Sequence, residues 1–164
     1  MNIEKGKQIF FRYNGNHFYI DRELGNEYKK CEVPKEIEEK WTEEIIESLR
    51  KKIYETKGND RIVLINSYIQ LLNTNSAINF LIDFTSEVEM DTFSLIIIGE
   101  TLKQYMYKNI DFVLIHKICN QLYLLKEKML KNKINIDISF KQLSYLKNYD
   151  FSNTAIIQRI NNLI

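Results

Sequence analysis

Residues 33–58 read VPKEIEEKWTEEIIESLRKKIYETKG, and this stretch carries the clearest secondary-structure signal in the 164-residue chain. Apolar side chains recur there every four residues, at Ile37, Trp41, Ile45, Leu49 and Ile53. That spacing places them on one face of a helix. Pro34 suits the first helical position, where its missing N–H costs nothing, and Gly58 suits the end. The stretch therefore predicts a long amphipathic helix that buries one side.

The residues that follow predict further helices divided by short polar breaks. The candidate caps and breaks are Asn59 or Asp60, residues 73–76, Asp91 or Thr92, residues 109–111, Ser139 and Ser152. Helices joined by short connections pack as antiparallel neighbours. We therefore expect an array of about six or seven antiparallel helices over residues 34–164. No sequence similarity at a fixed period supports a repeat protein.

The residues before the long helix predict β-structure. Aromatic and β-branched residues are frequent in residues 8–13 and 17–22, and Asn14-Gly15 lies between them. An Asn-Gly pair between two such runs is a strong hairpin signal, because both turn residues need a positive φ. Gly25-Asn26 is a second candidate turn, after which residues 27–33 would form a third strand.

These elements together predict an α+β fold that is predominantly α. An antiparallel β-hairpin or three-stranded meander over residues 1–33 is expected to pack on the helical array of residues 34–164, within a single domain spanning residues 1–164. Trp41 is expected in the core that the two parts share.

Composition narrows the class of protein. Hydrophobic residues make up 45% of the chain and charged residues 27%, as in an ordinary globular domain. The longest apolar run, residues 95–98, is far too short to cross a bilayer, and the first residues lack the apolar core of a signal peptide. Cys31 and Cys119 are expected to be reduced, packed thiols. We therefore expect a cytoplasmic protein that does not associate with membranes.

Charge is distributed unevenly along the chain. The formal net charge is −5 for residues 1–100 and +6 for residues 101–164. Asp83, Glu87, Glu89 and Asp91 form an acidic stretch without a nearby lysine or arginine. One interpretation is a negative patch that meets a basic partner and speeds association. The other is a loop between helices with solvated carboxylates.

Catalytic and ligand-binding signatures are weak. No phosphate-binding loop, dinucleotide-binding glycine pattern or zinc-protease sequence occurs. His116 and Cys119 are one helical turn apart, which is half of a metal site at most, and His17 has no acidic residue within reach on a strand. We therefore expect no catalytic residue, no metal and no cofactor. The net charge of +1 argues against nucleic-acid binding. The lysines of residues 126–133 do not change this expectation, because lysines are also favourable at the C-terminus of a helix.

One part of the chain resembles a known class of proteins. The residues concerned are Phe10-Phe11-x-Tyr13-Asn14-Gly15-x-His17-Phe18 and Val33-Pro34-Lys35-Glu36-Ile37-Glu38-x-x-Trp41, within residues 8–45. This pattern resembles small bacterial immunity proteins of contact-dependent or polymorphic toxin systems. The resemblance implies a non-enzymatic protein that binds one toxin domain and blocks it, and it assigns no functional residue.

The leading hypothesis is therefore a binding protein that neutralises a cognate toxin domain through Asp83, Glu87, Glu89 and Asp91. The alternative is a small enzyme or a nucleic-acid-binding accessory protein whose site is assembled only in three dimensions. The oligomeric state stays open.

Overall fold

A computed structural model describes residues 2–108 and 110–164, which form helices and no strand. The helices are α1 (Ile3–Arg12), α2 (His17–Lys29), α3 (Lys35–Glu55), α4 (Gly58–Gln70), α5 (Thr74–Glu87), α6 (Thr92–Tyr105), α7 (Phe112–Lys131), α8 (Ile138–Lys141) and α9 (Asn153–Asn161), with a 3₁₀ turn at Ser144–Leu146. The predicted α+β class is therefore wrong, because the described part of residues 1–33 contains no β-hairpin or meander.

The Asn14-Gly15 pair ends a helix instead of turning a hairpin. Both residues do have the expected positive φ, 49° for Asn14 and 69° for Gly15. The Gly15 N–H donates to the Phe10 carbonyl at 2.9 Å, and the Asn14 N–H donates to the Phe11 carbonyl at 3.1 Å. These two bonds are the Schellman arrangement that closes a helix C-terminus. The same dihedral preference therefore serves a helix end as well as a β-turn.

The second predicted turn and the third predicted strand are also replaced by helix. The Asn16 side chain accepts hydrogen bonds from the N–H groups of Phe18 and Tyr19 and caps α2. Gly25-Asn26 lies inside α2, immediately after a kink at Leu24, where φ is −135°. Residues 27–29 complete α2. The polar residues that predicted β-turns thus start, bend and end helices.

The α1–α2 pair packs on α3 through Trp41. Trp41 is buried, with its ring centroid 5.6 Å from that of Phe10 and 6.4 Å from that of Phe11. Its expected place in a shared core is confirmed, although its neighbours are helical. Pro34 is the N-cap of α3 and not its first residue, while Gly58 begins α4 at a φ of 55°.

Most of the predicted helix starts after residue 58 are confirmed. Asn73, Asp91, Asp111 and Ser152 cap α5, α6, α7 and α9 with their side chains. Two predicted caps are wrong, because α4 starts before Asn59 and Asp60, and because Asp137 caps α8 in place of Ser139. Asn109, part of a predicted break, lies outside the described residues.

Helix α6 is the centre of the array. Its buried residues point in every direction around the helix: Thr92, Phe93, Ser94, Leu95, Ile96, Ile98, Gly99, Leu102 and Tyr105. It packs against α4, α5, α7 and α9. Gly99 allows the side chain of Leu163 to pack closely against α6, since a Cβ at this position would lie 3.1 Å from Leu163. Helix α7 packs across α6 between α5 and α9, so only one of its sides faces the core.

Candidate functional site

The four predicted partner-binding carboxylates do not form one uniform patch. Asp83 and Glu87 are exposed on the last turns of α5, and Glu89 is exposed in the connection to α6. Asp91 is half-buried and caps α6, accepting hydrogen bonds from the N–H groups of Phe93 and Ser94 at 3.0 and 3.1 Å. Asp83 and Glu87 therefore belong to a helix and not to a loop, and Asp91 has a structural role.

Glu89 and Asp91 also share their surroundings with cations. Both line a pocket of about 530 Å³ together with Lys57, Arg61 and Lys128. The sequence interval around the carboxylates contains no basic residue, yet folding brings these cations from α3–α4 and α7. The single-sign field that the sequence suggests is therefore restricted to Asp83 and Glu87.

A second group of titratable side chains lies where α2 meets α3. The Tyr28 hydroxyl donates to Glu38 Oε1 at 2.5 Å, and His17 Nε2 is 3.5 Å from Glu38 Oε2. Burial, followed by the hydrogen bond and charge of Glu38, raises the pKa of Tyr28. His17 also lines a pocket of about 350 Å³. Glu38 was missed as a partner of His17 because 21 residues and a wrongly predicted strand separate the two.

The other histidine and the cysteines do not assemble into a site. His116 and Cys119 are both exposed on α7, so the expectation that they pack in the core is wrong. Cys31 is buried, as expected, and its thiol donates to the Glu27 carbonyl at 3.3 Å. Within residues 2–108 and 110–164, no group of three His, Cys, Asp or Glu side chains is arranged to hold a metal ion.

Helix α7 carries an unusual set of exposed apolar side chains. Its inward stripe is buried at Leu114, Ile118, Leu122, Leu125 and Met129. The outer face of α7 carries Phe112, Val113, Cys119, Tyr123, Leu124 and Leu130, all exposed, among the exposed polar residues His116, Lys117, Asn120 and Lys131. Phe112 is 80% exposed, and Tyr123 and Leu124 are each 58% exposed. This face was not predicted from the sequence, although apolar residues on more than one side of a long helix would have indicated it.

The outer face of α7 and the exposed carboxylates of α5 belong to neighbouring helices, since α5 and α7 pack against each other. The Gln121 side-chain amide donates to the Thr85 hydroxyl at 2.8 Å and to the Ser86 hydroxyl at 3.3 Å. Ser86 lies between Asp83 and Glu87 in the sequence of α5. We call the outer face of α7 together with Asp83 and Glu87 the α5–α7 surface. This surface combines the exposed apolar side chains of α7 with the carboxylates of Asp83 and Glu87, which we call the carboxylate edge.

Comparison with known proteins adds no relative. No family model matches the chain, and neither a curated protein nor a solved structure matches it significantly.

None of the helices in the described part of the chain is both long enough and apolar enough to cross a membrane.

Proposed function

We propose that this chain is a non-enzymatic binding protein that acts in the cytoplasm and holds a partner protein on the α5–α7 surface. The observation that supports the proposal is the outer face of α7. Large apolar side chains grouped on an exposed face, with polar residues around them, are typical of protein interaction sites. Tyr123, at the middle of this face, belongs to the residue types that dominate binding energy at protein interfaces.

The carboxylates of α5 give the proposed interface its charge preference. Asp83 and Glu87 form no ion pair within the described residues, so their charges are available to a partner. Carboxylates beside apolar anchors favour a partner that presents basic side chains around an apolar centre. The resemblance of residues 8–45 to immunity proteins makes a toxin domain the partner that we propose.

The proposal predicts a toxin gene immediately upstream of the gene of this chain, and the toxin domain that it encodes is the partner for the test. We expect a stoichiometric complex by light scattering and loss of the toxin's activity when the chain is added. The double variant Tyr123→Ser/Leu124→Ser should lose both effects. Phe18→Ser is the matched control, because Phe18 is an exposed aromatic residue on α2, outside the α5–α7 surface. Full protection by the double variant would contradict the proposal.

A second candidate function is a small enzyme whose site contains His17. The supporting observation is that His17 lines the 350 Å³ pocket and that its Nε2 is 3.5 Å from Glu38 Oε2, since an imidazole near a carboxylate is typical of a general base. His17→Ala would then abolish turnover, whereas Tyr123→Ser would not affect it. Retention of every measured activity by His17→Ala would exclude this candidate.

A further inference from the structure

The 530 Å³ pocket between the start of α4 and the end of α7 contains a buried arginine. Arg61 is only 5% exposed and lines this pocket. Its Nε donates to the Ile53 carbonyl at 3.1 Å, and Nη1 donates to the Glu89 carbonyl at 3.3 Å. Among the described residues, no carboxylate forms an ion pair or hydrogen bond with the guanidinium. The charge of Asp91 acts on the guanidinium from within the same pocket, but the two side chains form no direct ion pair.

The unpaired guanidinium keeps hydrogen-bonding capacity toward the pocket. Arginine has five N–H donors, and the two bonds to backbone carbonyls use two of them. No buried side-chain nitrogen among the described residues lacks a partner. The remaining donors of Arg61, on Nη1 and Nη2, therefore have access to the pocket. Burial lowers the pKa of Arg61, which reflects the cost of holding its charge away from water.

Three lysines add positive charge to the same pocket. Lys57, Lys128 and Lys133 line it and form no ion pair within the described residues. Three carboxylates, Glu89, Asp91 and Asp137, line it as well.

Two of these carboxylates are already satisfied by donors of their own. Asp91 accepts hydrogen bonds from the Phe93 and Ser94 N–H groups and from the Ser94 hydroxyl. Asp137 accepts from the N–H and the hydroxyl of Ser139, and these bonds lower its pKa. Lys128 and Lys133 form no ion pair within the described residues. Four cations and three carboxylates line the pocket, so its formal charge is +1, and the side chains with free hydrogen-bonding capacity are mainly cationic.

We propose that this pocket binds a phosphate-type oxyanion, with Arg61 as its central donor and Lys128 and Lys133 as flanking cations. A guanidinium presents paired N–H donors that match the oxygens of a phosphoryl group. A lysine ammonium adds positive charge and does not require a fixed hydrogen-bond geometry. This site is separate from the proposed α5–α7 interface and does not depend on it.

The test is a titration of the full chain with inorganic phosphate, followed by calorimetry and by the unfolding temperature. Sodium chloride at equal ionic strength serves as the reference, because screening alone acts through ionic strength. We expect saturable phosphate binding and a rise in the unfolding temperature that chloride does not produce. A response to phosphate no larger than the response to chloride would overturn the proposal.

Variants test whether the pocket is the site. Arg61→Lys risks unfolding because Arg61 also holds two backbone carbonyls, so Lys128→Ala/Lys133→Ala is the decisive variant. It should weaken phosphate binding about fivefold or more, as expected when charge-assisted contacts are removed. Lys117→Ala/Lys147→Ala is the matched control, since both lysines are exposed and outside the pocket. Equal affinity in the two double variants would overturn the assignment.

The source of the phosphoryl group is distinguished by two further ligands. O-phosphoserine represents a phosphorylated side chain, and adenosine monophosphate represents a nucleotide. Tighter binding of either one than of inorganic phosphate supports the site and identifies the source. Failure of all three to bind above the chloride reference overturns it.

Discussion

Helices α6 and α7 are both rich in apolar residues, yet they use them differently. The apolar side chains of α6 lie in the core, where α4, α5, α7 and α9 pack against this 14-residue helix. The 20-residue α7 gives one stripe to the same core and exposes a second apolar set on its outer face. The apolar residues of α6 are explained by folding, whereas the exposed apolar residues of α7 are not. The proposed binding function rests on this second set.

The largest expected difference between the two helices is in core stability. Ile96 of α6 is fully buried, so Ile96→Ala should destabilise the protein by about 2–5 kcal/mol through lost burial and a residual cavity. Leu124→Ala on the outer face of α7 should change stability by less than about 0.5 kcal/mol. Urea denaturation measures both. Similar losses for the two variants would mean that the outer face also supports the fold.

A smaller difference is expected between the ion pairs of the two helices. Glu100 of α6 receives two hydrogen bonds from Arg159, at 2.5 and 2.6 Å, and Arg159 also donates to the Tyr149 hydroxyl. Because this network is half-buried, Glu100→Gln should destabilise the protein by about 1–2 kcal/mol.

The corresponding ion pair on α7 is formed by Glu127 and Lys131, two residues that are one helical turn apart on the protein surface. Glu127→Gln should be indistinguishable from wild type in the same denaturation experiment, because water and salt screen such a pair. A larger effect for Glu127→Gln than for Glu100→Gln would contradict the assignment of α6 as the centre.

The sequence predicted helices well where polar caps and apolar spacing agreed. Asn73, Asp91 and Asp111 combine a capping side chain with a following apolar stripe, and each caps a helix. Residues 8–22 failed because their aromatic and β-branched content favours strands locally. Packing of Phe10 against Trp41 stabilises helices there instead. Tertiary contacts of this kind are not visible in local patterns.

The candidate sites were less predictable than the helices. Asp83 and Glu87 were found from their charge, and they are exposed. Arg61 was missed because its surroundings come from three separate parts of the chain, at Ile53, Glu89 and Lys128. Burial of a charged residue depends on how distant segments pack, and no short stretch of sequence encodes it.

The outer face of α7 should be dispensable for folding. Phe112→Ser and Tyr123→Ser should each change the free energy of unfolding by less than about 0.5 kcal/mol, because neither side chain is packed in the core. Circular dichroism in increasing urea measures the midpoint and slope. A clear decrease in the midpoint of either variant would show that its side chain is needed by the fold.

The carboxylate edge should affect the rate of association more than the final affinity. Asp83→Asn/Glu87→Gln leaves the Asp91 cap and the 530 Å³ pocket intact, and it should slow association with a basic partner several-fold at low salt. The difference should shrink in high salt, because steering is screened. Stopped-flow mixing at two salt concentrations measures it. Identical rates at low salt would remove these carboxylates from the interface.

The most direct measurement is calorimetry with the toxin domain that we expect to be encoded immediately upstream. Its affinity is compared for the wild-type chain and for Tyr123→Ser/Leu124→Ser, with Phe18→Ser as the control. If the outer face of α7 is the centre of the interface, the double variant should bind at least about tenfold more weakly, as expected for two buried anchors. Phe18→Ser should bind like wild type. An unchanged affinity in the double variant, at unchanged stability, would contradict the account.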